Sequence, residues 1–129
     1  SDAFAVINTL MGMRVDIHRR KPVIGNNQGG LSGPAIKPMA LLKVHQVYQV
    51  CKAHRIPIIG QGGVTSVEDA IEFLLAGASA VGVGTALFYH PLICPQLNAG
   101  IRSYLERHGF PDVQSLTGSL QLNTQPGCC

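Results

Sequence analysis

Three short apolar runs stand out along the chain, at residues 4–7, 56–60 and 80–83. Each run is continuous and does not alternate with polar residues. A continuous apolar run is typical of a strand that is buried on both faces of a parallel sheet. The pattern therefore predicts three parallel strands.

The segments between and after these runs change to a helical period. The first helix is predicted over residues 38–54. Its apolar stripe consists of Leu41, Val44, Val47 or Tyr48, and Cys51. A second helix is predicted from residue 67 to a stop at Gly77, and a third from residue 95 to 108. Because strands alternate with helices, the sequence predicts an α/β fold with a parallel sheet.

Local signals mark where the last two predicted helices begin or end. Thr65 followed three residues later by Glu68 fits a capping box, with Thr65 as the N-cap of the second helix. Gly109 is expected to end the third helix. Beyond it we expect an irregular tail. The predicted domain is therefore residues 1–109, and the tail is residues 110–129.

A long segment, residues 10–37, separates the first strand from the first helix. Apolar and polar residues alternate over residues 13–17, ahead of Arg19–Arg20, which predicts a small hairpin with a turn at the arginines. The Gly-rich end of the segment, residues 29–34, permits close approach of the backbone to a ligand. Loops of this length inside a compact domain are usually functional or disordered, and the glycines favour function.

Composition excludes several classes of protein. The chain has 129 residues, of which 46% are hydrophobic and 13% charged, so a disordered or fibrous chain is not expected. It has no uninterrupted apolar run of about 18 residues, so no membrane span is expected. The net charge is +3, and the basic residues are scattered, apart from Arg19–Arg20–Lys21, without interleaved aromatics. Nucleic-acid binding is therefore not expected either.

The cysteines and histidines do not form a metal-binding or disulfide pattern. There is no C-x-x-C pair and no spacing of histidines typical of zinc sites, so we expect no residue of this chain to bind a metal ion. Cys51 lies on a helical stripe and is expected to be a core residue. Reduced thiols favour a cytoplasmic location. Cys128 and Cys129, at the end of the tail, receive no role.

Small polar residues and glycines follow each predicted strand. Gly62–Gly63 and Gly84–Thr85 follow two successive strands, where backbone N–H groups and a helix N-terminus favour a phosphate. The alternative is that these glycines only make tight turns. Asn8–Thr9 follow the first strand, and an amide there suits a flat polar ring or a carboxylate, although asparagine is also a common turn residue.

Taken together, residues 6–9, 29–38, 56–64 and 77–85 resemble dihydroorotate dehydrogenase of class 1, and most closely the NAD-dependent class 1B catalytic subunit. The resemblance extends from Phe4 to about Gly109. It implies that the chain is the C-terminal part, about three βα units, of a TIM (β/α)₈ barrel that holds FMN at its carboxyl-terminal mouth. Gln61 departs from the family, which more often has an apolar residue at this position.

The resemblance also implies an activity and a set of site residues. The activity is oxidation of dihydroorotate to orotate in de novo pyrimidine (UMP) biosynthesis. The residues implied in FMN binding are Ile7, Gly33, Gly62, Gly63, Gly84 and Thr85, and those implied in binding dihydroorotate or orotate are Asn8 and Thr9. The family's catalytic cysteine and an FMN-contacting lysine have no counterpart in this sequence. We therefore expect no catalytic residue here and no activity from the chain alone.

The resemblance implies partners as well. A class 1B enzyme passes electrons to NAD through an iron–sulfur flavoprotein subunit that carries FAD and a 2Fe–2S cluster, and the catalytic subunit is a homo-oligomer. Two alternatives stay open. One is a flavin enzyme similar to dihydropyrimidine dehydrogenase, and the other is a non-catalytic, phosphate-binding half-barrel that associates with itself or with another half. The electron acceptor, whether NAD, fumarate or another molecule, is also left open.

Overall fold

A computed structural model describes residues 1–123 and shows strands and helices in alternation. The strands are β1 (Phe4–Val6), β2 (Leu10–Gly12), β3 (Val15–Asp16), β4 (Lys21–Pro22), β5 (Gly29–Leu31), β6 (Ile58–Gln61) and β7 (Ala80–Gly82). The helices are α1 (Lys37–Cys51), α2 (Val67–Ala76), α3 (Ile93–His108) and α4 (Val113–Leu116). The α/β fold predicted from the sequence is therefore confirmed.

The three apolar runs form one parallel sheet in the order β1–β6–β7. Val6 lies beside Gly60, and Gln61 lies beside Gly82, so the strands end at nearly the same level. The connections that contain α1 and α2 return the chain to the end of the sheet where the strands begin, so that the next strand runs in the same direction. The loops that follow β1, β6 and β7 consequently meet at one edge of the sheet.

Among residues 1–123, helices cover one face of the sheet and leave the other uncovered. On β6, Ile58 is 1% exposed and contacts the helical layer, whereas its neighbour Ile59 points the other way and is 38% exposed. The core lies between the sheet and the helices α1, α2 and α3, and its largest fully buried side chains are Phe73, Ile58, Leu74, Leu116 and Val44. Cys51 is 4% exposed within this core, which confirms the prediction made for it.

The helix boundaries differ from the predicted ones by a few residues. The first helix ends at Cys51, three residues early, and continues as a 3-10 turn over Lys52–His54. The third helix begins at Ile93 instead of residue 95 and ends, as predicted, before Gly109, whose φ is 71°.

The predicted capping box of α2 is wrong by one residue. The N-cap is Ser66, whose hydroxyl accepts a hydrogen bond from the N–H of Asp69, and the Asp69 carboxylate accepts one from the N–H of Ser66. Thr65 and Glu68 do not cap the helix. Thr65 instead donates both its N–H and its hydroxyl to Asp69, so the carboxylate at the third position of the helix determines where α2 begins.

The long segment between β1 and α1 folds into two small antiparallel ladders. Strand β2 pairs with β5, and β3 pairs with β4 across a turn that contains Arg19 and Arg20. The predicted hairpin is therefore confirmed. Ile17, in the same turn, is 77% exposed, so this hairpin projects from the core.

The chain after Gly109 is more regular than the irregular tail that the sequence predicts. Asp112 caps α4 by accepting a hydrogen bond from the N–H of Ser115, and Leu116 is fully buried. The N–H of Gly118 then donates to the carbonyl of Leu74, at the end of α2. Burial of Leu116 and this backbone bond explain why the segment is ordered. Cys128 and Cys129 lie outside the described residues.

Within residues 1–123, no helix is both long enough and apolar enough to cross a membrane.

Gly60 offers a test of how tightly the helical layer meets the sheet. A Cβ at this position would lie 2.8 Å from the side chains of Ala78 and Phe73. Because overpacking a core typically costs about 1–3 kcal/mol, Gly60→Ala is expected to lower the free energy of unfolding by that amount, measured by urea denaturation. Gly25→Ala is the matched control, since a Cβ at Gly25 meets nothing within 4 Å. Equal stabilities for the two variants would contradict the packing described here.

Candidate functional site

A cavity of about 210 Å³ opens at the edge of the sheet where β1, β6 and β7 end. Its walls are the loops that follow these three strands and the turn that follows β5. All the site residues expected from the sequence line it, namely Ile7, Asn8, Thr9, Gly33, Gly62, Gly63, Gly84 and Thr85. The fold therefore brings together residues that lie up to 78 positions apart in the sequence.

The glycines after β6 have backbone conformations and neighbours that exclude other residues. Gly62 has a φ of 128° and Gly63 a φ of 83°, in the region that favours glycine. A Cβ on Gly63 would lie 2.7 Å from the carbonyl oxygen of Gly33. The loop after β6 and the turn after β5 are therefore in direct backbone contact, which only glycine at position 63 permits.

Four backbone N–H groups at this edge are available to a ligand. Within residues 1–123, no protein group accepts a hydrogen bond from the N–H of Gly62, Gly63, Gly84 or Thr85. A Cβ built on Gly84 meets nothing within 4 Å, so the backbone there is open to the cavity. Backbone N–H groups of this kind, close to the start of α2, form the donor set that an anion such as phosphate requires.

The residues after β1 are exposed and hold each other locally. The side-chain oxygen of Asn8 accepts a hydrogen bond of 2.7 Å from the N–H of Thr9. The Thr9 side chain lies against Gly30 of β5, so closely that a Cβ on Gly30 would overlap it. This contact places the Asn8–Thr9 pair at the junction of the sheet and the β2–β5 ladder. Among residues 1–123, the side-chain NH₂ group of Asn8 donates to no protein group.

Two residues that line the cavity, Ser32 and Gln61, are not among the site residues predicted from the sequence. Ser32 accepts a hydrogen bond of 2.9 Å from the hydroxyl of Thr85, across 53 positions of the sequence. Because a hydroxyl has one proton, the Thr85 side chain is already engaged, and Ser32 keeps its own proton for a ligand. Ser32 lies in the Gly-rich segment, which was its only signal. Gln61 lines the cavity too, and its amide donates to the carbonyl of Ile7 at 3.1 Å.

An ion pair behind the cavity holds the loop that contains Gly62 and Gly63. Asp69 accepts hydrogen bonds from the N–H of Thr65 at 2.8 Å and from its hydroxyl at 2.9 Å. Lys37 donates to the other oxygen of Asp69 at 2.5 Å and also pairs with Glu72 at 3.0 Å. The first residue of α1 is thereby joined to the first turn of α2.

These contacts shift the pKa of both partners. Burial of Asp69 raises the pKa of its carboxyl group, but the hydrogen bonds from Lys37 and Thr65 outweigh it and lower the pKa from 3.8 to about 2. The hydrogen bond to Asp69 raises the pKa of Lys37. Both groups are charged at neutral pH.

Within residues 1–123, no cluster of three or more His, Cys, Asp or Glu side chains is placed to hold a metal ion.

The comparison with protein families agrees with the residues around this cavity. A family model described as dihydroorotate dehydrogenase matches residues 1–105. The chain belongs to the dihydroorotate dehydrogenase family. The resemblance to dihydroorotate dehydrogenase that the sequence motifs indicate is therefore confirmed.

Curated relatives of this chain are catalytic subunits of dihydroorotate dehydrogenase B (NAD(+)). The protein from Desulforamulus reducens is 52% identical over 122 residues, which cover 95% of this chain and 39% of the relative. The protein from Anoxybacillus flavithermus is 46% identical over 129 residues, which cover all of this chain and 40% of the relative. The chain thus spans about two-fifths of the length of these relatives.

A solved dihydroorotate dehydrogenase has the same arrangement of strands and helices. The crystal structure of the enzyme from Eimeria tenella in complex with ferulenol has a TM-score of 0.73 and 28% sequence identity to this chain. The match covers 92% of this chain and 31% of that one. The three βα units are therefore part of a TIM barrel, as predicted.

Asp69 makes the stability of the chain depend on pH. Its folded-state pKa of about 2 lies below the ordinary 3.8, so it stabilises the fold above about pH 4, and this contribution disappears as the pH falls towards 2. Asp69→Asn is expected to lower the free energy of unfolding by about 2 kcal/mol near pH 7. Urea denaturation at several pH values measures this.

Glu72→Gln is the control for the charge beside Lys37, because Glu72 pairs with Lys37 but is not bonded to Thr65 or Ser66. Glu72→Gln is expected to change the free energy of unfolding by less than about 1 kcal/mol, as partly exposed ion pairs do.

The difference in the free energy of unfolding between the parent chain and Asp69→Asn must shrink at low pH. A difference that stays constant from neutral pH to about pH 2 contradicts the assignment.

Proposed function

We propose that this chain forms the FMN-phosphate and substrate-binding part of an enzyme that oxidises dihydroorotate to orotate in de novo pyrimidine biosynthesis. One observation carries the proposal. The unpaired N–H groups of two neighbouring strand ends, at Gly62–Gly63 and Gly84–Thr85, meet around the same cavity as Asn8 and Thr9. Similarity to catalytic subunits of dihydroorotate dehydrogenase B supports it.

The residues present fit the phosphate of FMN. The four free N–H groups can donate hydrogen bonds to a dianion, and the positive end of α2 lies close to them. Side chains at Gly62 or Gly63 are excluded by the backbone, so the loop keeps its amides accessible. In this proposal Ser32 donates its hydroxyl proton to the phosphate, while Thr85 holds Ser32 in place.

The remaining cavity residues would hold the flavin ring and the substrate. Ile7 and Gly33 line the cavity beside the phosphate-binding loops and are proposed to contact the flavin. The amide of Asn8 and the hydroxyl of Thr9 are proposed to orient dihydroorotate through hydrogen bonds to its polar ring or carboxylate. FMN, when bound, supplies the electron acceptor for the oxidation.

The proposal extends to partners beyond the residues of this chain. Electrons would leave the flavin through a second subunit that carries FAD and a 2Fe–2S cluster, and then pass to NAD. The exposed face of the sheet, which includes Ala5 and Ile59, and the outer edges of β1 and β7 are where the other strands of the barrel would pack. We further propose a homo-oligomer located in the cytoplasm.

The phosphate site is tested by Gly84→Ala. A methyl group at Gly84 meets no protein atom within 4 Å, so it is expected to leave the fold intact while it occupies the space in front of the free N–H groups. FMN affinity, measured by quenching of flavin fluorescence, is expected to fall about tenfold or more, which corresponds to about 1.4 kcal/mol. Gly25→Ala, in the turn between β4 and β5, is the control that keeps its affinity. Unchanged FMN binding by Gly84→Ala counts against the phosphate site.

The catalytic role is tested by adding dihydroorotate to the FMN-loaded 129-residue chain. No residue that lines the cavity is assigned as a catalytic base. We therefore expect dihydroorotate to bind without measurable bleaching of the flavin absorbance. Dihydroorotate-dependent flavin reduction by the chain alone would show that a base is present among these residues and overturn this part of the proposal.

A further inference from the structure

The Lys37–Asp69 ion pair connects two loops of the cavity, although neither side chain lines the cavity itself. We propose that Asp69 is a positioning residue that, held by Lys37, fixes residues 62–66 in the arrangement that presents the amides of Gly62 and Gly63 to the phosphate of FMN. This inference rests on the proposed FMN site. It predicts that Asp69 governs recognition of the phosphate and not of the flavin ring.

The two oxygens of Asp69 have separate roles. Oδ2 accepts three hydrogen bonds from the loop, two from Thr65 and one from the N–H of Ser66, at 2.8–3.0 Å. Oδ1 accepts the hydrogen bond from Lys37. An asparagine has a single acceptor oxygen and would have to turn its NH₂ group either towards the ammonium group of Lys37 or towards the N–H groups of the loop. Only a carboxylate satisfies both sides.

Lys37 lies where the turn that follows β5 enters α1. The turn Gly33–Ile36 leads directly into Lys37. A Cβ on Gly63 would lie 3.1 Å from the Cβ of Lys37 and 2.7 Å from the carbonyl oxygen of Gly33. The two loops are therefore joined at two places, by close backbone contact at Gly63 and by the ion pair behind it. Loss of the ion pair leaves only the first contact.

Asp69 also determines which amides a ligand meets. The N–H groups of Thr65 and Ser66 are bonded to the carboxylate, so a bound anion finds its donors at Gly62, Gly63 and the loop after β7. Without the carboxylate, residues 64–66 lose the bonds that fix them, and the set of free donors changes. A ligand that lacks the phosphate does not use these donors, so its affinity is not expected to change.

The test compares the affinities of FMN and riboflavin, which differ only in the phosphate, for the parent chain and three variants. Asp69→Asn is expected to weaken FMN binding about tenfold and to leave riboflavin binding unchanged, in line with the effect of removing a residue that orients a binding group. Asp69→Glu is expected to bind FMN as tightly as the parent chain, because glutamate is favoured at the third position of a capping box. Glu72→Gln removes the other partner of Lys37 without touching the loop, and should behave as the parent chain.

A second measurement needs no flavin. Hydrogen exchange at the amides of Thr65 and Ser66 is expected to become faster in Asp69→Asn and to stay unchanged in Glu72→Gln, at a temperature where all variants are folded. Unchanged exchange in Asp69→Asn overturns the positioning role whatever the binding result.

The binding outcomes separate this inference from the function on which it rests. If the parent chain binds FMN and riboflavin equally, the proposed phosphate site fails, and the inference fails with it. If the parent chain prefers FMN and Asp69→Asn keeps that preference, only the inference is overturned. Equal losses for both ligands in Asp69→Asn, or an equal loss of FMN binding in Glu72→Gln, also overturn it, because they indicate a general effect on the fold or on the charge of Lys37.

Discussion

Parallel pairing of β6 with both β1 and β7 is the constraint on which the site depends. Parallel strands run in the same direction, so their carboxyl ends meet at one edge, and each crossover must pass through a helix on the covered face. The register sets Val6 beside Gly60 and Gln61 beside Gly82. The loops after these strands therefore begin at the same level, and their amides and side chains surround one cavity.

Backbone contact at this edge then restricts the residues that can occupy the loops. Gly63 approaches Gly33 so closely that a side chain has no space, and its φ of 83° is one that other residues rarely adopt. Gly84 differs, because space is available beside it and nothing in the described part of the chain fills that space. The first glycine is explained by packing within the protein. Packing does not explain the second glycine, and the proposal that a ligand approaches the backbone there makes it the sharper test of function.

Much of this arrangement could be predicted from local sequence. Continuous apolar runs identify the strands, and glycines after two of them indicate an anion site, because both signals lie within a few residues. The start of α2 was predicted one residue early because Thr65 and Ser66 are each followed, three residues later, by an acidic residue. Only the fold selects the pair Ser66 and Asp69. The contact of Ser32 with Thr85 joins residues 53 positions apart, so no local pattern could reveal it.

The position of Asp69 raises a question of charge, since a carboxylate close to the proposed phosphate site should repel the ligand. The structure answers it through Lys37, whose ammonium group lies against the carboxylate and also against Glu72. Lys37 is charged across the physiological range, so its ammonium group offsets part of the negative charge of Asp69 and Glu72 at close range. Both oxygens of the carboxylate are, moreover, occupied by donors. Asp69 can therefore order the loop through hydrogen bonds, because its carboxylate oxygens are taken up by Lys37, Thr65 and Ser66 and not by the free amides of Gly62 and Gly63.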